Sequence, residues 1–374
     1  MKKAVIVGYD AVSPLGTDLE TQWKRALKGE SGTGKLTRFL VNENFPVHIA
    51  GQVDDIDTTP YSFLNPRALA LWPSPVFKYA MLVVHRALQV SGIEITPSLG
   101  PRVAVTYSSA VGGQDAVLNA DRRMVSEGKL PPPYANPNSC INMVGGKISI
   151  LTGATGPITT TITACATGIT SMIIGAMLLE QGMADVVICG AVDFALVEPI
   201  VAGFATMNCT YRPKPDLPEE PPSRASRPFS VDRRGFVISE GAGGIIIATE
   251  EFARTHGLNY HIEIAGWSMT SDAYHFVAPK FETVRRFGND LAPVSANKSM
   301  TGHAMGASSV IEAIFLIKGM LNDVLLPTIN YTPDPDMELD CVPEGTRKLH
   351  QEYVLKNAFG FGGCNSCMVF RRIA

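Results

Sequence analysis

The sequence predicts an α/β fold made of two halves with similar strand–helix order, the second shorter than the first. Short β-branched apolar runs alternate with longer stretches of helical periodicity along the 374 residues. Hydrophobic residues make up 45% and charged residues only 18%, enough apolar material for a sizeable core. The strand–helix order starts afresh once, so the halves run 1–250 and 251–374, one closing near Thr249 and the next opening near Ile262.

Taken in order, Lys3–Val12 reads as a first strand, and Val76–Val90 as a helix with Pro75 before it and Gly92 after it. Arg102–Ser108 is a strand. Pro157–Ala164 is a β-branched strand that runs into a helix from Gly168 to Gln181. Asp185–Asp193 and Gly241–Thr249 read as buried strands, and Arg212–Arg227 as an exposed Pro-rich loop. In the second half, Ile262–Met269 is a strand and Gly306–Leu321 a helix. Tyr353–Ala358 and Ser366–Arg371 are strands around a glycine-rich turn. The counterparts of Val76–Val90 and Arg102–Ser108 are missing from this half.

Composition excludes several classes. A formal net charge of -3 argues against nucleic acid as partner and gives no general attraction to anionic membranes. The longest apolar stretch, Ile169–Leu179, is too short for a bilayer, which needs roughly 20 residues. The Met-Lys-Lys start leads into a strand that breaks at Tyr9-Asp10 and is not a signal peptide. Seven cysteines, with one lone Cys364-x-x-Cys367 and no paired zinc spacing, fit a reduced cytoplasmic protein without metal or cofactor.

Three motifs carry chemistry. Ile-Thr-Ala-Cys165-Ala-Thr-Gly puts a cysteine where a strand turns into a helix, and free N–H groups at such a terminus favour thiolate. A small core cysteine is an equally good reading of that motif alone. Ser295-Ala-Asn-Lys298-Ser-Met-Thr-Gly-His303 puts a lysine and a histidine at a turn before a helix that carries Glu312. A neutral histidine there can donate to a carbonyl oxygen or a developing enolate, although a lone histidine at a turn is more often a satisfied surface or core residue. Asn357-Ala-Phe359-Gly-Phe361-Gly-Gly363 lets a main-chain N–H point into a pocket, and with the N–H of Cys165 would form an oxyanion hole. In isolation it reads as a hairpin turn with two core aromatics.

In this order the three motifs resemble the elongating β-ketoacyl-acyl-carrier-protein synthases of the thiolase fold. Arg227-Pro-Phe-Ser-Val-Asp-Arg-Arg-Gly, Ser271-Asp-Ala-Tyr-His275, Pro327-Thr-Ile-Asn330 and Asp185-Val-Val-Ile-Cys-Gly190 are similar too, so the likeness runs from the first strand to Arg372. It implies a layered α-β-α-β-α sandwich and a decarboxylative Claisen condensation in fatty acid or polyketide chain extension. Cys165 would take an acyl group from an acyl carrier protein and join it to a malonyl carrier thioester. By the same resemblance His303 and Lys298 are catalytic, with Glu312 and Phe359 supporting. Phe361 gates the acyl pocket and gives the second oxyanion N–H, and Val111 lines the pocket. A homodimer, or a heterodimer with a related synthase, is implied as well.

The family's first histidine, in a His-Gly-Thr-rich motif, has no counterpart here. The chain passes from Ala278-Pro-Lys280 directly to Phe281-Glu-Thr-Val-Arg-Arg-Phe-Gly288, and His275 matches a different family position. Condensation is therefore expected to be impaired or partner-dependent. The alternative is a non-condensing subunit like a chain-length factor, against which the retained Cys165 weighs. A degradative thiolase would use a second cysteine such as Cys364, but the Lys298/His303 motif and the Phe361 turn fit synthases better. Gly29-Glu-Ser-Gly-Thr-Gly34-Lys35 nearly spells a phosphate-binding loop, yet Leu36 stands where a Ser or Thr is needed and a helix precedes it.

Overall fold

Nine residues of the first strand, Ala4–Val12 (β1), are almost all buried, because the strand has protein on both faces. Val5 and Val7 enter one apolar cluster while Ala4 and Ile6 enter another. A computed structural model describes residues 2–212, 220–275, 277–278, 292–336, 339–342 and 345–373. The other principal strands are β2 (Val103–Ser108), β3 (Ile158–Thr159), β4 (Val186–Phe194) and β5 (Glu240–Thr249) in the first half. The second half contributes β6 (Ile262–Ser271), β7 (Tyr353–Gly360) and β8 (Cys364–Arg372).

These eight strands form one mixed sheet in the order β7-β8-β6-β1-β5-β4-β2-β3. Strands β3, β2 and β4 are mutually parallel, and every other neighbouring pair is antiparallel. The halves join where β1 pairs with β6 through only three residue pairs, Ala4 with Ile264 to Ile6 with Ile262.

Four helices set the layers: α1 (Pro75–Ser91), α2 (Asn142–Thr152), α3 (Thr167–Glu180) and α4 (Met305–Leu321). Helix α1 begins with its proline in the first turn and stops at Gly92, whose φ of 70° is the left-handed cap glycine favours. It packs with α2 over Val5, Val105, Ile188 and Ile246 on one face of the first-half strands. Helices α3 and α4 cover the opposite face and touch β8 and either β6 or β7 as well. Their cluster joins Ile173, Val310 and Ile314 to Val187 and Ile245 on one side and to Met368 and Phe370 on the other. The layers thus run α1/α2, first-half strands, α3/α4, second-half strands.

The outer side of β6, β8 and β7 is the expected fifth layer. Among the described residues, the helices in contact with these strands are α3 and α4, both from within, and Tyr353 and Leu355 on β7 stay exposed. This is the shortened second half. The stretch 280–288, where the sequence departs from the family, lies outside the described residues, as does 213–219 of the expected exposed loop.

Most expected elements fall within a residue or two of their predicted bounds. The strand expected over Pro157–Ala164 is a correction: only Ile158–Thr159 pairs in the sheet. It lies at the sheet edge, and from there side chains take over the backbone bonds. Thr163 N–H donates to Thr167 Oγ1 at 3.0 Å, and that hydroxyl donates to the Ala164 carbonyl at 2.7 Å. The near-phosphate-loop is also ordinary structure, since Thr33–Lys35 pairs as a strand with Ile49–Gly51. Among the described residues no helix is long and apolar enough to cross a membrane.

Candidate active site

The edge strand ends in a strained turn. Ala164, directly before the cysteine, has φ of 49°, an unfavourable value for a residue with a Cβ, and a 3₁₀ turn over Ala164–Ala166 leads into α3. This leaves Cys165 partly buried, its sulfur facing the second half of the chain.

His303 reaches that sulfur. Its Nε2 lies 3.0 Å from Cys165 Sγ and its Nδ1 2.9 Å from Ser308 Oγ. The backbone fixes it firmly: His303 N–H donates to the Val237 carbonyl at 2.7 Å, and Ser239 N–H donates to the His303 carbonyl at 2.9 Å. Phe236 packs edge-on to the ring at 5.0 Å. Burial, helped by the positive charge of Lys298, lowers the His303 pKa to about 3, so the imidazole is neutral. A hydroxyl either donates or accepts, so Ser308 serves both tautomers of this ring.

The glycine-rich turn between β7 and β8 meets the cysteine from the other side. A Cβ on Gly360 would lie 2.2 Å from the Thr163 carbonyl oxygen, so only glycine permits this approach. The main-chain N–H groups of Phe361 and of Cys165 itself both face the sulfur. One expectation changes here. Burial pushes the Cys165 thiol up to about 11, and Lys298 and the two N–H groups only partly oppose it. The resting group is therefore a thiol and not the thiolate that its helix-terminal position predicts, because desolvation outweighs the helix terminus.

Lys298 opens a one-turn helix, Lys298–Thr301, and its ammonium pairs with Glu312 on α4. Glu312 binds a second cation that the sequence reading missed: Lys356 Nζ lies 2.6 Å from Glu312 Oε2. Asp193, at the end of β4, was missed too. Wholly buried, it accepts from Ser109 Oγ at 2.6 Å and from the N–H groups of Ala110, Val111 and Ala307. It thereby ties the Val111 loop to the start of α4. Its signal was a lone carboxylate closing the apolar run Val186-Val-Ile-Cys-Gly-Ala-Val-Asp-Phe194.

Val111 belongs to an apolar group with Ile200, Phe204, Phe236 and Met305. Phe204 approaches the Phe361 ring with centroids 6.4 Å apart. It also lines an open cavity of about 340 Å³ with Ile200, Gly203, Met207, Gln114 and Leu118. Phe359 lies on the face of β7 opposite Lys356, beside Asn357, Asn365 and Cys367. His275 is exposed, and its Nδ1 accepts from the N–H groups of Val277 and Ala278. Cys364 begins β8 as a free thiol.

Residues 1–253 match the beta-ketoacyl synthase N-terminal domain, and residues 280–332 match the beta-ketoacyl synthase C-terminal domain. The chain belongs to the β-ketoacyl synthase family. It is 31% identical to the 3-oxoacyl-[acyl-carrier-protein] synthase 2 of Vibrio harveyi, an alignment covering 100% of this chain and 99% of the relative. That alignment runs over 421 positions against 374 residues here, so at least 47 positions of the relative have no counterpart. A β-ketoacyl synthase from Burkholderia phymatum superposes with a TM-score of 0.89 at 25% identity over the full length of both chains. The fold is also that of a type II polyketide ketosynthase, solved with its acyl-carrier protein and bound to the hexaketide, at a TM-score of 0.88 and 23% identity over both full chains. This is the thiolase fold with a shortened second half.

Proposed function

We propose that this β-ketoacyl synthase loads an acyl group from an acyl carrier protein onto Cys165 and extends it with a malonyl carrier thioester. The observation that carries the reading is the 3.0 Å contact between Cys165 Sγ and His303 Nε2, with the N–H groups of Cys165 and Phe361 converging on the same sulfur. As sulfur attacks the carrier thioester, the thiol proton passes to Nε2 and from there to the departing carrier thiolate. The two N–H groups hold the oxyanion. In the second step the malonyl carrier thioester loses carbon dioxide, and the electron pair of the broken bond becomes an enolate. The enolate carbon attacks the Cys165 thioester, whose sulfur leaves as a thiolate and takes a proton from solvent. With Ser308 donating to Nδ1, His303 presents Nε2–H to the enolate oxygen.

Val111 and Phe361 flank the acyl path towards the cavity beside Phe204, and the chain works as two halves, 1–250 and 251–374. The family's first histidine has no replacement in His275, which lies exposed. Loading is therefore retained and condensation is slow. The subunit without chemistry of its own is disfavoured, because it would have no use for an assembled cysteine, histidine and oxyanion pair. The exposed apolar side chains Ile150, Ile158 and Ile162 around the edge strand β3 support a dimer. A cytoplasmic protein with reduced thiols fits the seven free cysteines.

Intact-protein mass spectrometry after incubation with an acyl carrier thioester tests the loading step. A single acyl adduct is expected on the native chain and none on Cys165→Ala. An adduct that persists on that variant would reject the assignment.

A further inference from the structure

Lys356 is a cation in a place where the sequence pattern calls for packing. On β7 its neighbours on the same inward face are Val354 and Ala358, and its side chain is only 11% exposed. The ammonium contacts Glu312 Oε2 and the Asn357 carbonyl, each at 2.6 Å. The other oxygen of Glu312 binds Lys298. Burial works to raise the Glu312 pKa, but the two lysines together hold it at about 2, so the carboxylate is ionised. One negative charge is thus shared between two positive ones.

Every element around the cysteine contributes to this balance. Lys298 comes from the short helix, Glu312 from α4, Lys356 from β7, and neutral His303 from the turn before α4. Asp193 faces the sulfur from β4 with its oxygens already occupied, and Cys367 on β8 lies near Lys356.

We propose that Lys356 is a positioning residue for the reaction of Cys165: it occupies one oxygen of Glu312, so that the carboxylate does not fully offset Lys298 and the Cys165–His303 pair faces a surplus positive charge. Each negative charge the reaction creates benefits, whether on the sulfur, the thioester oxygen or the enolate. Lys356 touches none of these atoms and acts through Glu312. The inference rests on Cys165 as nucleophile, and it is tested on thiol chemistry that needs no carrier protein.

The measurement is the rate of Cys165 alkylation by iodoacetamide between pH 7 and 10, assigned by peptide mass mapping. The set is the native chain, Lys356→Met, and the double variant Lys356→Met/Glu312→Gln. Lys356→Met is expected to slow alkylation roughly three- to tenfold near pH 7, and the difference narrows towards pH 10 because burial lowers the Lys356 pKa. The double variant keeps one surplus charge on Lys298 and is expected to return to within about twofold of the native rate. A packing role would not be rescued by removing a second charge. A native profile for Lys356→Met, or a double variant as slow as the single, overturns the proposal. Should Lys356→Met not fold, Lys356→Gln is judged by the same two outcomes. Loss of carrier acylation with this pattern intact would count against the proposed function and leave the role of Lys356 standing.

Discussion

Cys165 is held between two opposing influences, and their balance sets its reactivity. Burial disfavours the thiolate, while Lys298 and two main-chain N–H groups favour it, and burial wins with a pKa of about 11. The thiol is the proton-bearing form, so reactivity rises as pH climbs towards that value. Alkylation of Cys165 is expected to increase about tenfold per pH unit from pH 7 to 10 with no plateau. A plateau below pH 9, read from the same mass-resolved rates, would mean that the helix terminus prevails. The placing of Cys165 at a strand-to-helix turn was legible, because small residues follow a β-branched run there. Its protonation was not, since desolvation depends on residues far away in sequence. Lys356 and Asp193 escaped for a related reason. Lys356 lies 44 residues from Glu312, and Asp193 takes its donors from residues 109–111 and 307, so no local spacing announces either pair.

At the scale of elements, the site is an encounter of two turns that strand register and one glycine bring together. The hairpin of β7 and β8 pairs without interruption from Tyr353 with Arg371 to Gly360 with Cys364, which fixes where its turn falls. Gly360 then sets how near that turn comes to the cysteine. Gly360→Ala would put a methyl 2.2 Å from the Thr163 carbonyl oxygen, and the turn must retreat. The expected cost is about 1–3 kcal/mol of stability. Because Phe361 N–H moves away with the turn, acyl loading should fall by roughly a hundredfold. Thermal unfolding and single-turnover loading separate the two effects, and a variant that is folded and loads at the native rate would show that the approach is not needed. Strands buried on both faces were readable as apolar runs, and helices from their caps. Edge strand β3 was overread, because its threonines suit a strand equally well as the side-chain bonds that end it.

For the whole molecule, the two halves are unequal in what they cover. Among the described residues, the first-half strands have helices on both faces, while the second-half strands meet α3 and α4 on one face. The sequence leads to the same expectation, because the second half shows no counterpart of Val76–Val90 and Arg102–Ser108. The opposite end of the sheet is β3, with one neighbour, β2, and a flanking set of exposed isoleucines: Ile150 at 77%, Ile158 at 45% and Ile162 at 48%. An edge strand with such side chains invites pairing, and no charge or proline within Ile158–Thr163 guards it. A second copy of the chain, placed antiparallel against this edge, would satisfy both the open backbone and the isoleucines across one self-complementary contact. The native protein is therefore expected to be a dimer by light scattering at micromolar concentration. Ile158→Asp/Ile162→Asp puts two carboxylates on each side of that contact and should yield a monomer whose Cys165 is still alkylated. A native protein that is monomeric at the same concentration would remove the dimer reading, and a double variant that stays dimeric would move the contact to another surface.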